Sequence, residues 1–164
     1  MKPAKQSLRV TSPSEVLDLA ISAEMDAHRF YLKAADQARD PKARATFLAL
    51  AGDEEGHRLQ LEAEYRHLIE NSEFSYRAGA NILHRHLDQD LDELGVIALG
   101  IQAEKDAMAF YQESGATAKD PHLKKILLGF VAFEDNHRKL LEAEYQARLG
   151  RPWDDLELDL WVRE

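Results

Sequence analysis

Cysteine is absent from this chain of 164 residues. Its absence excludes disulfides, thiolate zinc sites, iron–sulfur clusters and cysteine nucleophiles. The sequence also lacks any apolar run as long as a membrane span. Residues 1–10, MKPAKQSLRV, carry charge but not the apolar segment of a secretory signal. We therefore expect a cytoplasmic protein that does not enter membranes.

Positive charge is in the minority, with 21 Lys and Arg residues against 30 Asp and Glu, for a net charge of −9. Such a balance argues against nucleic acids and anionic membranes as partners, and it is compatible with attracting divalent cations. The length predicts one domain, residues 1–164, that can bury a substantial core.

The chain carries an internal repeat with an offset of eighty residues. Residues 21–65 align without a gap to residues 101–145, and 19 of the 45 positions are identical. Each half holds one Glu, followed thirty residues later by a Glu-x-x-His motif. The matched residues are Glu24, Glu54 and His57 in the first half and Glu104, Glu134 and His137 in the second. The repeat therefore predicts a duplicated unit with the same chemistry in both copies.

Start and stop signals divide the sequence into four helices. Ser12-Pro13-Ser14-Glu15 combines an N-cap, a proline at the first helical position and a capping box. Asp40-Pro41 and Asp120-Pro121 each end one helix and start the next. Apolar or small residues recur at helical spacing between these signals. We predict helices at about 13–38, 41–70, 91–117 and 121–149, with a linker at 71–90 and a C-terminal tail at 150–164.

Helix geometry brings the repeated Glu residues to one level. Glu24 lies 16 residues before Asp40 and Glu54 lies 14 after it, which is roughly 24 and 21 Å at about 1.5 Å per residue. The linker extends to about 60–70 Å at about 3.3 Å per residue, enough to cross the bundle. Two antiparallel hairpins joined by a long crossover predict an all-α, ferritin-like four-helix bundle.

Four carboxylates on core-facing stripes require compensating charge, because burial of unpaired carboxylates is costly. Two divalent cations would balance them, and the i, i+3 spacing lets Glu and His of one motif reach the same ion. Carboxylate-rich ligation with one imidazole per ion suits iron or manganese rather than a closed tetrahedral zinc site. We therefore predict six metal ligands: Glu24, Glu54, His57, Glu104, Glu134 and His137.

Tyr31 and Tyr111 lie two turns after Glu24 and Glu104 on the same helix faces. As candidate catalytic residues they would hydrogen-bond a ligand carboxylate or line a pocket for oxygen. The alternative is that they are packing aromatics whose buried hydroxyls need a partner.

Other acidic and His residues match the patterns less well. Glu64 and His67 repeat the Glu-x-x-His spacing, but Ala147 replaces the His in the second half, which favours a surface pair. Asp26 and Asp106 fall off the ligand face, which favours surface ion pairs.

The paired Glu and Glu-x-x-His motifs resemble the rubrerythrin-like branch of the ferritin-like superfamily over about residues 14–149. The resemblance implies that the six ligands hold a non-haem di-iron centre. It further implies a centre that reacts with hydrogen peroxide or dioxygen while oxidising ferrous iron, in a homodimer.

The chain departs from the rubrerythrin pattern in two places. Without cysteine it has no rubredoxin domain, so its electrons would come from an external donor protein or from iron itself. Rubrerythrins also carry an extra Glu where this chain has Ala107, so the remaining symmetric set looks more like that of bacterioferritin. Glu55 stands where bacterioferritins have a haem-binding Met, and no haem is expected. Demethoxyubiquinone hydroxylase and manganese catalase are further relatives with similar ligands.

These observations favour a redox enzyme that holds two iron ions, or manganese. One alternative is an iron-storage protein that assembles into a cage. The other is a structural or partner-binding bundle in which the metal only holds the helices together.

Overall fold

The computed structural model describes residues 12–154 of the chain. It contains four α-helices: α1 (Pro13–Gln37), α2 (Pro41–Leu68), α3 (Glu93–Thr117) and α4 (Pro121–Leu149). The described residues form no β-strand. The predicted all-α class is confirmed, and most of the C-terminal tail lies outside the described residues.

The helix starts are set by local side-chain chemistry. Ser12, Asp40, Asp92 and Asp120 are the N-caps, and each accepts a hydrogen bond from a backbone N–H of the first turn. A proline follows the cap in α1, α2 and α4, where its missing N–H removes no helical hydrogen bond. Gly150, with φ of 66°, ends α4 in the left-handed region that glycine adopts without strain.

The helices pair as two hairpins, α1 against α2 and α3 against α4. Residues 69–92 connect the hairpins and include a 3₁₀ helix, Ile82–His86, which contacts both α1 and α3. The sequence pattern predicts only a linker at 71–90. The fully buried Leu83 explains the difference, because it anchors the 3₁₀ turn in the core.

A polar stripe on α1 fixes the crossover in place. Three of its side chains, spaced four residues apart, contact three consecutive crossover residues. The hydrogen bonds run from Ser75 N to Asp18 Oδ1 (3.1 Å), from Tyr76 Oη to Asp26 Oδ1 (2.7 Å) and from Arg77 N to Ser22 Oγ (2.8 Å). The expectation that Asp26 forms a surface ion pair is therefore wrong, because the crossover covers it completely.

The apolar core forms two clusters with the repeated Glu and His residues between them. Leu17, Ile21 and Leu127 belong to one cluster, and Leu50 and Leu141 to the other. The polar level is thus closed off from both ends of the bundle. None of the helices in the described part of the chain has the length and hydropathy that crossing a lipid bilayer requires.

Candidate metal centre

Six side chains meet at the polar level between the two apolar clusters. α1 and α3 each contribute one Glu, and α2 and α4 each contribute a Glu and a His one turn apart. The six are Glu24, Glu54, His57, Glu104, Glu134 and His137, and all are buried. The structure thus brings together every residue that the sequence analysis assigned as a metal ligand.

The six residues form two overlapping groups of four. In each group, one potential ligand atom per residue lies within 4.8 Å of all the others. One group contains Glu24 and His57, and the other contains Glu104 and His137. Glu54 and Glu134 belong to both. Each group therefore offers three carboxylates and one imidazole, and two carboxylates are placed to be shared.

The Nδ1 atom of each His faces three carboxylates. In the first group, His57 Nδ1 lies 3.3 Å from Glu54 Oε2, 3.4 Å from Glu134 Oε1 and 3.6 Å from Glu24 Oε2. In the second, His137 Nδ1 lies 3.1 Å from Glu54 Oε1, with oxygens of Glu104 and Glu134 at 3.7 and 3.6 Å. This spacing leaves each nitrogen close to several oxygens.

Four of these buried atoms have no hydrogen-bond partner: Glu54 Oε2, His57 Nδ1, Glu134 Oε1 and His137 Nδ1. A buried polar atom without a partner typically costs about 1–3 kcal/mol. A cation bound between the carboxylates and each imidazole would satisfy all four atoms. Their clustering is the observation by which the site fits a metal pair.

The electrostatics of the carboxylates show the same need for positive charge. Burial, together with the charges of neighbouring Glu residues, raises the pKa of Glu54 to about 8. Burial and the charge of Glu54 also raise the pKa of Glu104 well above its usual range. Burial opposes ionisation of Glu134 too, but its contacts with His137 and His57 lower its pKa to about 2. Without a cation, the cluster must therefore hold extra protons.

The neighbouring carboxylates also raise the pKa values of the two imidazoles. Burial alone would lower the pKa of His57, but its contacts with Glu134, Glu24 and Glu54 outweigh burial and raise that pKa to about 12. The pKa of His137 is raised for the same reason. A metal ion that neutralises the carboxylates would remove this cause and leave the imidazoles neutral for ligation.

Tyr31 and Tyr111 connect the two halves of the bundle. Tyr31 Oη on α1 donates to Glu104 Oε1 on α3 at 2.7 Å, and Tyr111 Oη on α3 donates to Glu24 Oε1 on α1 at 2.5 Å. Each tyrosine thus contacts the Glu of the opposite half rather than its own. At Gly100 a Cβ would lie 3.0 Å from Tyr31 Oη, so glycine allows the close approach of this hydroxyl.

Asp53 is a functional candidate that the sequence analysis missed. Asp53 Oδ2 lies 3.2 Å from Nε2 of His137, so it can accept the proton of the second ring nitrogen and orient the first toward the site. The internal repeat does not predict a role for Asp53, because the residue eighty positions later is Phe133. The ring of Phe133 stacks on His57 with centroids 5.1 Å apart. The two halves therefore differ around their His residues although the six inner residues match.

The weaker candidates lie away from this cluster. At an exposed end of the bundle, Nε2 of His122 lies 2.9 Å from Oε2 of Glu64. The His122 ring also contacts the ring of His67 edge-on. These side chains are not among the described groups whose ligand atoms lie close enough to hold one ion. Glu64 therefore pairs with His122 of α4 rather than with His67 of its own motif.

Comparisons with known proteins agree with this arrangement. Residues 15–87 match the family model of rubrerythrin. This match confirms the resemblance for the first hairpin and for most of the crossover. A hypothetical protein of known structure from Pyrococcus furiosus is similar to this chain, with a TM-score of 0.76 and 21% sequence identity. The alignment covers 90% of this chain and 97% of that one, which supports the ferritin-like bundle. No curated protein matches the sequence.

Proposed function

We propose that this chain binds two iron ions in the six-residue site and uses them to oxidise ferrous iron while reducing hydrogen peroxide or dioxygen. The observation that carries this proposal is the pair of overlapping ligand groups, with four buried atoms that lack any hydrogen-bond partner. Manganese would suit the same ligands. The match of residues 15–87 to rubrerythrin gives independent support for iron.

The side chains have separate tasks in this proposal. Glu54 and Glu134 would contact both ions and so hold them side by side, whereas Glu24 and Glu104 would each serve one. The four carboxylates balance the charge of two divalent ions in a buried position. When bound as ferrous ions, the metal pair would supply two electrons, which with two protons from solvent reduce hydrogen peroxide to two water molecules, or dioxygen to hydrogen peroxide.

The tyrosines would keep the outer ligands in place. Burial and the charge of the adjacent Glu raise the pKa of Tyr31 and Tyr111 well above the usual range. Each hydroxyl therefore retains its proton and acts as a donor to Glu104 or Glu24. A direct catalytic role for Tyr31 and Tyr111 stays a prediction.

The partners follow from the same reasoning and stay predictions. Hydrogen peroxide or dioxygen would be the oxidant, and an external donor protein would return electrons, because the chain has no cysteine with which to form an iron–sulfur centre. A homodimer in the cytoplasm is expected. Four large apolar side chains exposed on α2 and α4 offer a surface for a second copy: Leu48, Leu59, Phe133 and Leu140.

The test starts from protein purified without added metal and analysed for its metal content. Anaerobic protein loaded with ferrous iron should then develop near-ultraviolet ferric absorption on addition of peroxide or air. The rate should exceed that of free ferrous iron in the same buffer, and a variant carrying Glu54→Ala and Glu134→Ala should lose the advantage. A rate equal to that of free iron at full metal occupancy would contradict the proposal and favour the structural bundle. Light scattering separates a dimer from an iron-storage cage.

A further inference from the structure

A cavity of about 450 Å³ lies between α1 and α3. Residues 78–82 of the crossover line one side of it, and Glu24, Glu54, Glu104 and Glu134 line another. At about 30 Å³ per water molecule, this volume corresponds to roughly fifteen waters. Dioxygen or hydrogen peroxide, with two heavy atoms, would fill only a small part. The cavity is thus larger than the proposed oxidants require, and its volume falls in the range of organic ligand sites.

The cavity exists because small residues occupy matched positions in the two halves. Ala23 and Ala27 of α1 line it together with Ala103 and Ala107 of α3. Each α1 residue is identical to the α3 residue eighty positions later. A larger side chain at any of these positions would narrow the space between the two helices.

The walls indicate which molecules the cavity would accept. The alanines are joined by Leu19, Ile82 and Phe110, so the lining is largely apolar. The polar part includes the site carboxylates, Asn81 and Tyr111. It also includes Asp106 and Glu113, which are exposed and mark the mouth. An anion would meet the negative charge of Asp106 and Glu113 at the mouth, whereas an uncharged apolar molecule would bury its surface favourably.

We propose that this cavity binds one uncharged, largely apolar organic molecule directly beside the metal centre. A small aromatic compound has the right size and can lie against Phe110 and the alanines. This inference rests on the proposed metal pair, because the site carboxylates form part of the cavity wall and bound cations would neutralise them. It adds an organic ligand to a site whose proposed oxidants are only two atoms long.

Indole and benzenesulfonate, an aromatic anion that coordinates zinc only weakly, serve as probes for the full chain loaded with zinc, which is redox-inactive. Calorimetry should show indole binding at least tenfold more tightly than benzenesulfonate. Ala107→Leu, which fills the cavity, should weaken indole binding at least tenfold. Ala132→Leu, the same change on the exposed face of α4, should leave it unchanged. Ala23→Leu tests the opposite wall and covers the case in which Ala107→Leu does not fold.

A measurement on the unaltered chain locates the probe. With ¹³C-labelled alanine methyl groups, indole should shift the signals of Ala23, Ala27, Ala103 and Ala107. Shifts confined to other alanines, or equal indole affinity in the wild type and both cavity-filling variants, would overturn the proposal. The zinc content is measured first. Two zinc ions per chain without indole binding refute only this inference, whereas a chain that binds neither zinc nor ferrous iron refutes the proposed function.

Discussion

Glu54 and Glu134 each belong to both ligand groups, whereas Glu24 and Glu104 each belong to one, although all four are buried in one cluster. Because the first two belong to both ligand groups, each should contribute to both ions. We predict that Glu54→Ala and Glu134→Ala each lower the metal content measured by elemental analysis, and that the double variant loses most of it. Glu64→Ala, which changes the Glu-x-x-His motif that lies outside both ligand groups, is the matched control and should keep two ions. Full occupancy in the double variant would refute the ligand assignment.

Asp53 should strengthen the binding of only one of the two ions. It contacts His137, whereas Phe133 takes the matching place beside His57. Asp53→Asn keeps the size and removes the charge that orients the imidazole. Loss of such a partner typically weakens metal binding by about 10- to 100-fold. Titration against a competing chelator should therefore show that one ion binds more weakly than in the wild type, while the affinity for the other ion is unchanged.

Asp135→Asn is the control for this experiment. Asp135 pairs with Arg138 and Lys139 on the surface of α4. Equal behaviour of the two Asn variants would show that the contact between Asp53 and His137 has no influence on the metal.

The raised pKa of Glu54 predicts the pH dependence of the metal-free protein. A carboxyl whose pKa rises from 4.5 to about 8 on folding stabilises the folded state fully below pH 4.5, and this contribution is lost as the pH rises toward 8. His57, with its pKa raised from 6.5 to about 12, acts in the same direction above pH 6.5. The melting temperature of chelator-treated protein should therefore fall between pH 5 and pH 8. Glu54→Gln should flatten this fall, and an equally steep fall in that variant would contradict the argument.

At the scale of whole elements, two helix glycines should respond oppositely to the same substitution. A Cβ at Gly115 of α3 would lie 2.6 Å from Leu128 Cδ2 and 3.2 Å from the backbone nitrogen of Leu128. Gly115→Ala should destabilise the fold by about 1–2 kcal/mol, because overpacking costs more than the helix propensity returns. A Cβ at Gly129 of α4 would meet no side chain and no other helix within 4 Å, so Gly129→Ala should stabilise by roughly 0.5–1 kcal/mol. Denaturant titration measures both, and equal signs would refute the packing argument.

Local sequence signals predict only some of the element boundaries. The starts of α1, α2 and α4 follow from cap residues and prolines that act within one turn, so they are readable without any tertiary knowledge. The 3₁₀ helix at Ile82–His86 is not readable in this way, because it depends on burial of Leu83 against distant helices. Burial of Asp26 depends likewise on Tyr76, fifty residues away.

At the scale of the whole molecule, the duplication predicts which residues meet. It does not predict which of them belong to both ligand groups. Similar helix distances from Asp40 and Asp120 place the Glu and His residues at nearly the same level. The sharing of Glu54 and Glu134 depends on how one hairpin lies against the other, which spacing along the chain does not contain. The cross-connection of Tyr31 to Glu104 has the same origin.

Metal should stabilise the whole bundle, because the site joins all four helices. A ligand that binds only the folded state at one hundred times its Kd adds about 2.7 kcal/mol. For a chain of this size, that corresponds to a rise of roughly 5–11 °C in the melting temperature. The rise should be larger at pH 8 than at pH 5.5, since metal replaces the protons that the free cluster holds. The variant carrying Glu54→Ala and Glu134→Ala should show almost none of it. If chelation leaves the wild-type melting curve unchanged at both pH values, the carboxylate cluster is not a metal site.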